Sequence, residues 1–261
     1  MSKRDDRAFD PDRRRLLAAL GAAGSGILLA GCDGLSRSEK VQSVLGSTEK
    51  LTHAAQRLVA SRRTMAREYP ASEISRDPRA NGTTNPQNPR YRELAANNFV
   101  DWSLAIGGAV KKPGRFSLAD LRAMPSRTQI TRHDCVEGWS YIAQWTGVPL
   151  GHLLDRVQPT GRARYAVFYC ADNTYGGPDK YYESVDLDTA YHPQTLLAYG
   201  LNGGRLPIAN GAPVRLRAEQ QLGYKMAKYI MRIELVEDFG HINGGKGGYW
   251  EDRGYNWWAG I

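Results

Sequence analysis

"LPIANGAPVRLRAEQQLGYKMAKYI", residues 206–230, sets an uncommon group of polar side chains between apolar runs. Asn210-Gly211-Ala212-Pro213 is turn chemistry, because glycine accepts a positive φ and proline fixes its own. Arg215 lies on the strand that leaves the turn. Gly223 lets backbone approach closely, and Lys225 and Lys228 follow it. An asparagine, exposed amides, an arginine and two lysines are the groups that hold a phosphate-bearing ligand. The stretch also reads as a solvated loop between two strands, and by itself it leaves both readings open.

Upstream, "TRHDCVEGWS" at residues 131–140 carries Cys135, one of three cysteines in the chain. A cysteine there has four possible roles: half of a disulfide with Cys170, a zinc ligand, a nucleophile, or a ligand to a heavier metal. Zinc is poorly served, since His133 and Cys135 stand two apart with no CxxC or HxxxH to complete a tetrahedral set. A Cys–His hydrolase would draw on His133 or His192, but nothing local singles out a triad. The chain has no CxxCH for covalent haem, no GxGxxG after a strand and no P-loop. His192, before a proline, reads as a structural histidine, and Trp139, Trp145 and Trp257-Trp258 read as packing residues.

The rest of the body gives short elements in no βαβ rhythm. "DWSLAIGG" alternates and turns at Gly107-Gly108, so it predicts a strand. "SLADLRAM" carries a capping box, Ser117 with Asp120, opening a short helix. "TQITRHDC" predicts a strand, "GVPLGHLLDRV" a helix opened near Pro149, and "RYAVFYCAD" a strand ending at Cys170. "YYESVDLDTAYHPQTLLAYGLNGGRLP" holds a strand, a short helix, a strand and a Gly-Gly turn. "APVRLRAE" and "YIMRIELVEDF" are further strands. The Gly-rich tail from His241 is too aromatic for disorder and is expected to pack over the domain. The class is α+β, a mixed sheet, mostly β with short helices.

The first 32 residues read as targeting rather than fold. Arg13-Arg14-Arg15 precede an apolar stretch, Leu16 to Ala30, too short to cross ~30 Å of hydrocarbon comfortably. Leu29-Ala30-Gly31-Cys32 resembles a lipobox, so Cys32 would be cleaved to the N-terminus and acylated. The expectation is a twin-arginine-like export signal and a periplasmic lipoprotein tethered to the cytoplasmic membrane, in an oxidising compartment. Residues 33–97 are expected to form a helical stalk, with Leu51, Ala55, Leu58 and Val59 at helical spacing, and then an extended arm through "DPRANGTTNPQNP". The main domain is expected over 98–261. Net charge is +8, and residues 1–32 hold six Lys/Arg and four Asp/Glu, leaving +6 on the body. That diffuse excess suits an anionic ligand, and without a dense basic block it does not point to nucleic acid.

Taken in order, "WSLAIGG", "CVEGW", "GVPL", "AYHPQTLLAYGLNG", "NGAPVRL" and "LGYKMAKYI" resemble the sulfite-oxidase-type molybdopterin family across about residues 98–238. The likeness is nearest to the bacterial branch that includes periplasmic methionine-sulfoxide reductase catalytic subunits. The resemblance implies a Mo-molybdopterin cofactor with Cys135 as the thiolate on the metal. It implies that Asn210 and Arg215 bind the pterin and its phosphate, with Met226, Ala227 and Lys228 completing the phosphate cradle. Glu137 falls where that branch has a glutamate near the metal. Cys170 replaces a threonine that contacts the cofactor, so proximity is expected there. The family's N-terminal arm gives an asparagine to the cofactor, here Asn81 with Asn85 as the other choice. The arginines that bind sulfite in sulfite oxidases do not align as a full set. The implied reaction is two-electron oxygen-atom transfer on a small-molecule substrate, with sulfoxide reduction first. A separate haem carrier, a membrane cytochrome b or a periplasmic cytochrome c, would exchange the electrons. A sulfite-type oxidase and a cofactor-less binding lipoprotein on the same fold are the alternatives.

Overall fold

A computed structural model describes residues 64–173, 177 and 179–261. The expected signal and lipobox, and the stalk positions Leu51, Ala55, Leu58 and Val59, lie outside the described residues. Among the described residues, ten strands form two five-stranded sheets. The first runs β2 (Gly114–Ser117), β1 (Ser103–Gly108), β10 (Ile230–Val236), β5 (Tyr165–Asn173), β6 (Lys180–Asp186). The second runs β3 (Arg127–Asp134), β4 (Ser140–Pro149), β7 (Leu196–Leu201), β8 (Gly204–Arg205), with β9 (Arg215–Arg217) also paired to β7. Only β1 and β10 pair in parallel among these strands; the other ladders are antiparallel.

Alternation along the strands explains the layers. On β5, Ala166, Phe168 and Cys170 enter the main core, while Val167 packs with Tyr182, Ile242 and Tyr249 on the opposite face. The main core joins Leu104, Ile106 and Ile233 of the first sheet to Val148, Leu197 and Leu216 of the second. Among the described residues, short α-helices cover it: α1 (Pro89–Ala96), α2 (Leu118–Ala123), α3 (Leu150–Val157) and α4 (Leu187–Ala190). Burying each such large apolar side chain contributes about 1.5–3 kcal/mol. Helix α2 opens with the expected capping box between Ser117 and Asp120. Helix α3 starts after Pro149 and buries Leu150, Leu153, Leu154 and Val157 on one face.

Several boundaries differ from the sequence reading. Helix α1 inserts Tyr91 and Leu94 into the main core, so the packed unit begins upstream of Asn98. Strand β4 takes in Gly147-Val148-Pro149, which the sequence reading gives to the opening of a helix. A Cβ at Gly147 would sit 2.4 Å from the Leu197 carbonyl oxygen. The missing side chain is what lets β4 close on β7 at the register shift beside it. Strand β5 runs past Cys170 to Asn173 and so carries Asp172 onward.

The aromatic tail packs as expected, and an ion triad fastens it. Lys225 is 1% exposed and its Nζ lies 2.5 Å from both Glu183 Oε1 on β6 and Glu251 Oε1 on the tail. Burial, and then Glu251, push the Glu183 carboxyl well above its usual range. Removing the lysine would leave two buried acids facing each other. Lys225→Met is therefore expected to lower unfolding free energy by about 3–5 kcal/mol, read from urea denaturation. A loss under about 1 kcal/mol would contradict the triad's role.

Candidate functional site

The arm before α1 is tied down along the edge of the second sheet. His192 Nε2 bonds the Thr64 carbonyl at 3.1 Å, which places His192 as the structural histidine expected. Tyr69 N donates to Ile130 O and Ser75 N to Ile142 O, both at 2.9 Å. The arm then turns inward, and Asn81 Nδ2 reaches 3.4 Å from Cys135 Sγ. Asn81, not Asn85, is the arm residue brought to the cysteine.

Cys135 lies just past β3, in a tight turn where its own N–H bonds the Trp139 carbonyl. It is 9% exposed and free of any disulfide, as is Cys170. Burial raises the Cys135 thiol above its ordinary value, so the protein alone keeps it protonated. Glu137, two residues on, is exposed and accepts from Trp139 Nε1 at 2.9 Å.

Arg215 and Lys228 face the same cleft from the turn-and-strand segment. Arg215 is 5% exposed, lies over Trp145, and donates through Nη1 to Asn210 O at 3.0 Å. Its Nε has no hydrogen-bond partner. Lys228 is half-buried and donates to the carbonyls of Asn81 at 2.7 Å, Thr83 at 2.5 Å and Ala209 at 3.2 Å. Those bonds use its hydrogens and leave its charge unmatched. Neither cation has an ion-pair partner among the described residues. Burial pulls Arg215 down to about 10, and burial with Arg215 nearby pulls Lys228 down to about 7.

Gly211 makes this pairing possible. Its φ is +114°, and a Cβ there would come within 3.0 Å of the Lys228 side chain and 3.1 Å of Arg215 Cβ. A glycine at that turn lets the two stems pack side by side.

The cleft holds about 880 Å³, including its open mouth. Of the residues expected from sequence, Asn81, Cys135, Glu137, Arg215, Met226 and Lys228 line it. Asn210, Ala227 and Cys170 do not. Asn210 supports Arg215 from behind and donates from Nδ2 to Pro78 O at 3.4 Å, so it holds the arm. Ala227 is fully buried and its carbonyl takes the Leu216 N–H at 2.8 Å. Cys170 is buried beneath, its thiol raised well above the ordinary value by burial and then by Asp172.

The sequence reading misses several lining residues. Arg79 lies over the Trp139 ring at 4.8 Å and Thr83 stands beside Lys228, both in the arm already suspected. Asp172 enters because β5 is longer than expected. Its carboxyl is buried, pushed up to about 6 by that burial, and its Oδ1 is unpartnered. Tyr224, Trp250 and Tyr255 form an aromatic rim, with Tyr255 5.2 Å from each of the other two rings. The Gly- and aromatic-rich tail was the signal for that rim.

An anionic group fits this donor set. A buried guanidinium with an unused N–H and a lysine with unmatched charge favour negative charge between them, and a soft sulfur nearby suits a thiophilic metal. In cofactor-free protein Lys228 is charged in both folded and unfolded states below about pH 7, so the folded state bears its full cost there. Between about pH 7 and 9 only the unfolded chain keeps that proton, so stability rises with pH in that window. Lys228→Met is expected to flatten the rise in denaturation curves taken across it. An unchanged slope would contradict the placement of this charge.

The family model described as oxidoreductase molybdopterin binding domain matches residues 92–240. A putative protein-methionine-sulfoxide reductase subunit, YedZ1 of Azospira oryzae, is 36% identical over 255 residues, covering 96% of this chain and 88% of that protein. The protein-methionine-sulfoxide reductase catalytic subunit MsrP of Xanthomonas axonopodis pv. citri is 42% identical over 145 residues. That alignment covers 52% of this chain and 45% of MsrP, so the match spans less than half of that relative. Among solved structures, the sulfane dehydrogenase SoxCD of Paracoccus pantotrophus is similar over 53% of this chain and 39% of that chain, at 22% identity and a TM-score of 0.49.

Proposed function

This chain belongs to the oxidoreductase molybdopterin binding domain family, and from that premise we propose that it is an exported reductase of sulfoxides, methionine sulfoxide foremost. Membership makes it an oxidoreductase whose cofactor is Mo-molybdopterin. One observation carries the finer reading. A buried free cysteine, an arginine and a lysine without carboxylate partners converge on one cleft. Bound there, the cofactor supplies two-electron oxygen-transfer chemistry.

The chain's own residues divide the remaining work. Cys135 would hold the metal as its protein ligand, in the thiolate form. Arg215 and Lys228 receive the pterin phosphate, and Asn81 stands over the cysteine from the arm. Met226 shapes the wall, while Asn210, Ala227 and Cys170 set the backbone and floor behind it. Reducing a sulfoxide takes two electrons and two protons, and gives a thioether and water. Glu137, exposed at the mouth, is placed to hand on a proton. Arg79, Trp250 and Tyr255 give the mouth a cation and aromatic faces, which favour sulfur-bearing groups.

The electrons come from a separate haem carrier, a membrane cytochrome b or a periplasmic cytochrome c. The relatives named as subunits of a protein-methionine-sulfoxide reductase support a multi-subunit arrangement. The twin-arginine-like segment and Cys32 support a periplasmic enzyme tethered as a lipoprotein. Export of a protein already loaded with cofactor is consistent with Cys135 and Cys170 staying unpaired.

The full chain, expressed with its N-terminal segment, is expected to carry molybdenum stoichiometrically and to oxidise reduced viologen when methionine sulfoxide is added. Cys135→Ser is expected to lose both properties, and Arg215→Leu to lower cofactor retention about ten-fold or more. Folded wild-type protein without molybdenum would sink the enzyme reading. Sulfite oxidation in place of sulfoxide reduction would reverse the proposed direction.

A further inference from the structure

Arg217 decides which nitrogen of His133 carries the hydrogen. Its side chain is fully buried and gripped by Glu219, Nε to Oε1 at 2.9 Å and Nη2 to Oε2 at 2.6 Å. Gln129 Nε2 donates to the same Glu219 Oε1 at 2.8 Å, which holds the carboxylate in place. The remaining guanidinium nitrogen, Nη1, stands 2.9 Å from His133 Nδ1. Guanidinium has donors and no acceptor, so Nδ1 must accept. The imidazole hydrogen therefore sits on Nε2.

The ring is also fixed in plane. Tyr141 lies 4.9 Å from it at 31°, and Trp139 lies 5.9 Å away. Nε2 bonds to nothing among the described residues. Gly223 faces it: a Cβ there would come 2.6 Å from both Cε1 and Nε2. Any other residue would cover that N–H. His133, Gly223 and Cys135 all line the cleft.

We propose that His133 is a fixed hydrogen-bond donor to the molybdenum cofactor, with the Arg217–Glu219 pair holding its Nε2–H toward an oxygen or sulfur acceptor of that group. The inference rests on the cofactor reading above. His133 acts here through binding, and Arg217, Glu219 and Gly223 are its positioning residues. A fixed donor needs no reorientation when its acceptor arrives, so the ordering cost is already met by folding.

The test uses the full chain and two readouts. Nitrogen NMR on histidine-labelled protein, with the His133 signal identified by its absence in His133→Gln, is expected to show hydrogen on Nε2 and none on Nδ1. Hydrogen on Nδ1 overturns the proposal. Pterin and molybdenum content per chain is then measured after prolonged dialysis. His133→Phe is expected to retain about ten-fold less cofactor than wild type. His133→Gln, whose amide nitrogen restores a donor, is expected to recover most of the loss. Gly223→Ala keeps the histidine but fills the space before Nε2, and is expected to lose cofactor as His133→Phe does. A loaded wild type with an equally loaded His133→Phe overturns this inference alone. A folded wild type that never carries pterin overturns the cofactor reading and this inference with it.

Discussion

Positive charge without a matching carboxylate, held at the cleft by Arg215 and Lys228, is the constraint around which the site is built. Burying a cation costs several kcal/mol unless a partner repays it. Elsewhere this chain supplies such partners: Arg217 has Glu219, and Lys225 has Glu183 and Glu251. At the cleft Arg215 and Lys228 meet carbonyl dipoles and an aromatic face, and the buried Asp172 carboxyl forms no ion pair with either among the described residues. The contrast supports the proposal that the pair binds an anionic group rather than serving packing alone.

The fold brings that charge to the cysteine through a few contacts. Strand β9 is short, and its pairing with β7 aims Arg215 across the sheet. Gly211 lets the stem of Lys228 pack against Arg215. The lysine then clamps the arm through the carbonyls of Asn81 and Thr83, and the arm sets Asn81 over Cys135. One ammonium group thus links the turn at Ala209, the arm and, through Asn81, the cysteine loop. The Arg217–His133 contact ties strand β9 to the end of strand β3, just before Cys135.

Much of this was legible in the residues. Strands β1, β3 and most of β4 alternate in burial, and the capping box at Ser117 announces its helix. The order of the motifs brought Cys135, Arg215, Met226 and Lys228 to one cleft although 93 positions separate the first from the last. Side chains and backbone were harder to tell apart. Asn210 and Ala227 stand in the motifs yet support the site from behind, since spacing alone does not say which way a residue points. Strand β4 was obscured by its Gly-Val-Pro end, which has helix-start chemistry but is held extended by β7. The cleft residues Arg79, Asp172, Trp250 and Tyr255 come from elements far apart in sequence. The arm and the aromatic tail pointed to the segments of Arg79, Trp250 and Tyr255, but only tertiary packing brings these residues and Asp172 to one cleft.

The central proposal is spatial: the molybdenum cofactor would be held between Cys135 and the Arg215–Lys228 pair. Anomalous diffraction at the molybdenum edge, from crystals of the loaded full chain, tests it most directly. The account predicts one strong peak in the cleft at bonding distance from Cys135 Sγ. A peak elsewhere, or none in protein that carries molybdenum stoichiometrically, would contradict it.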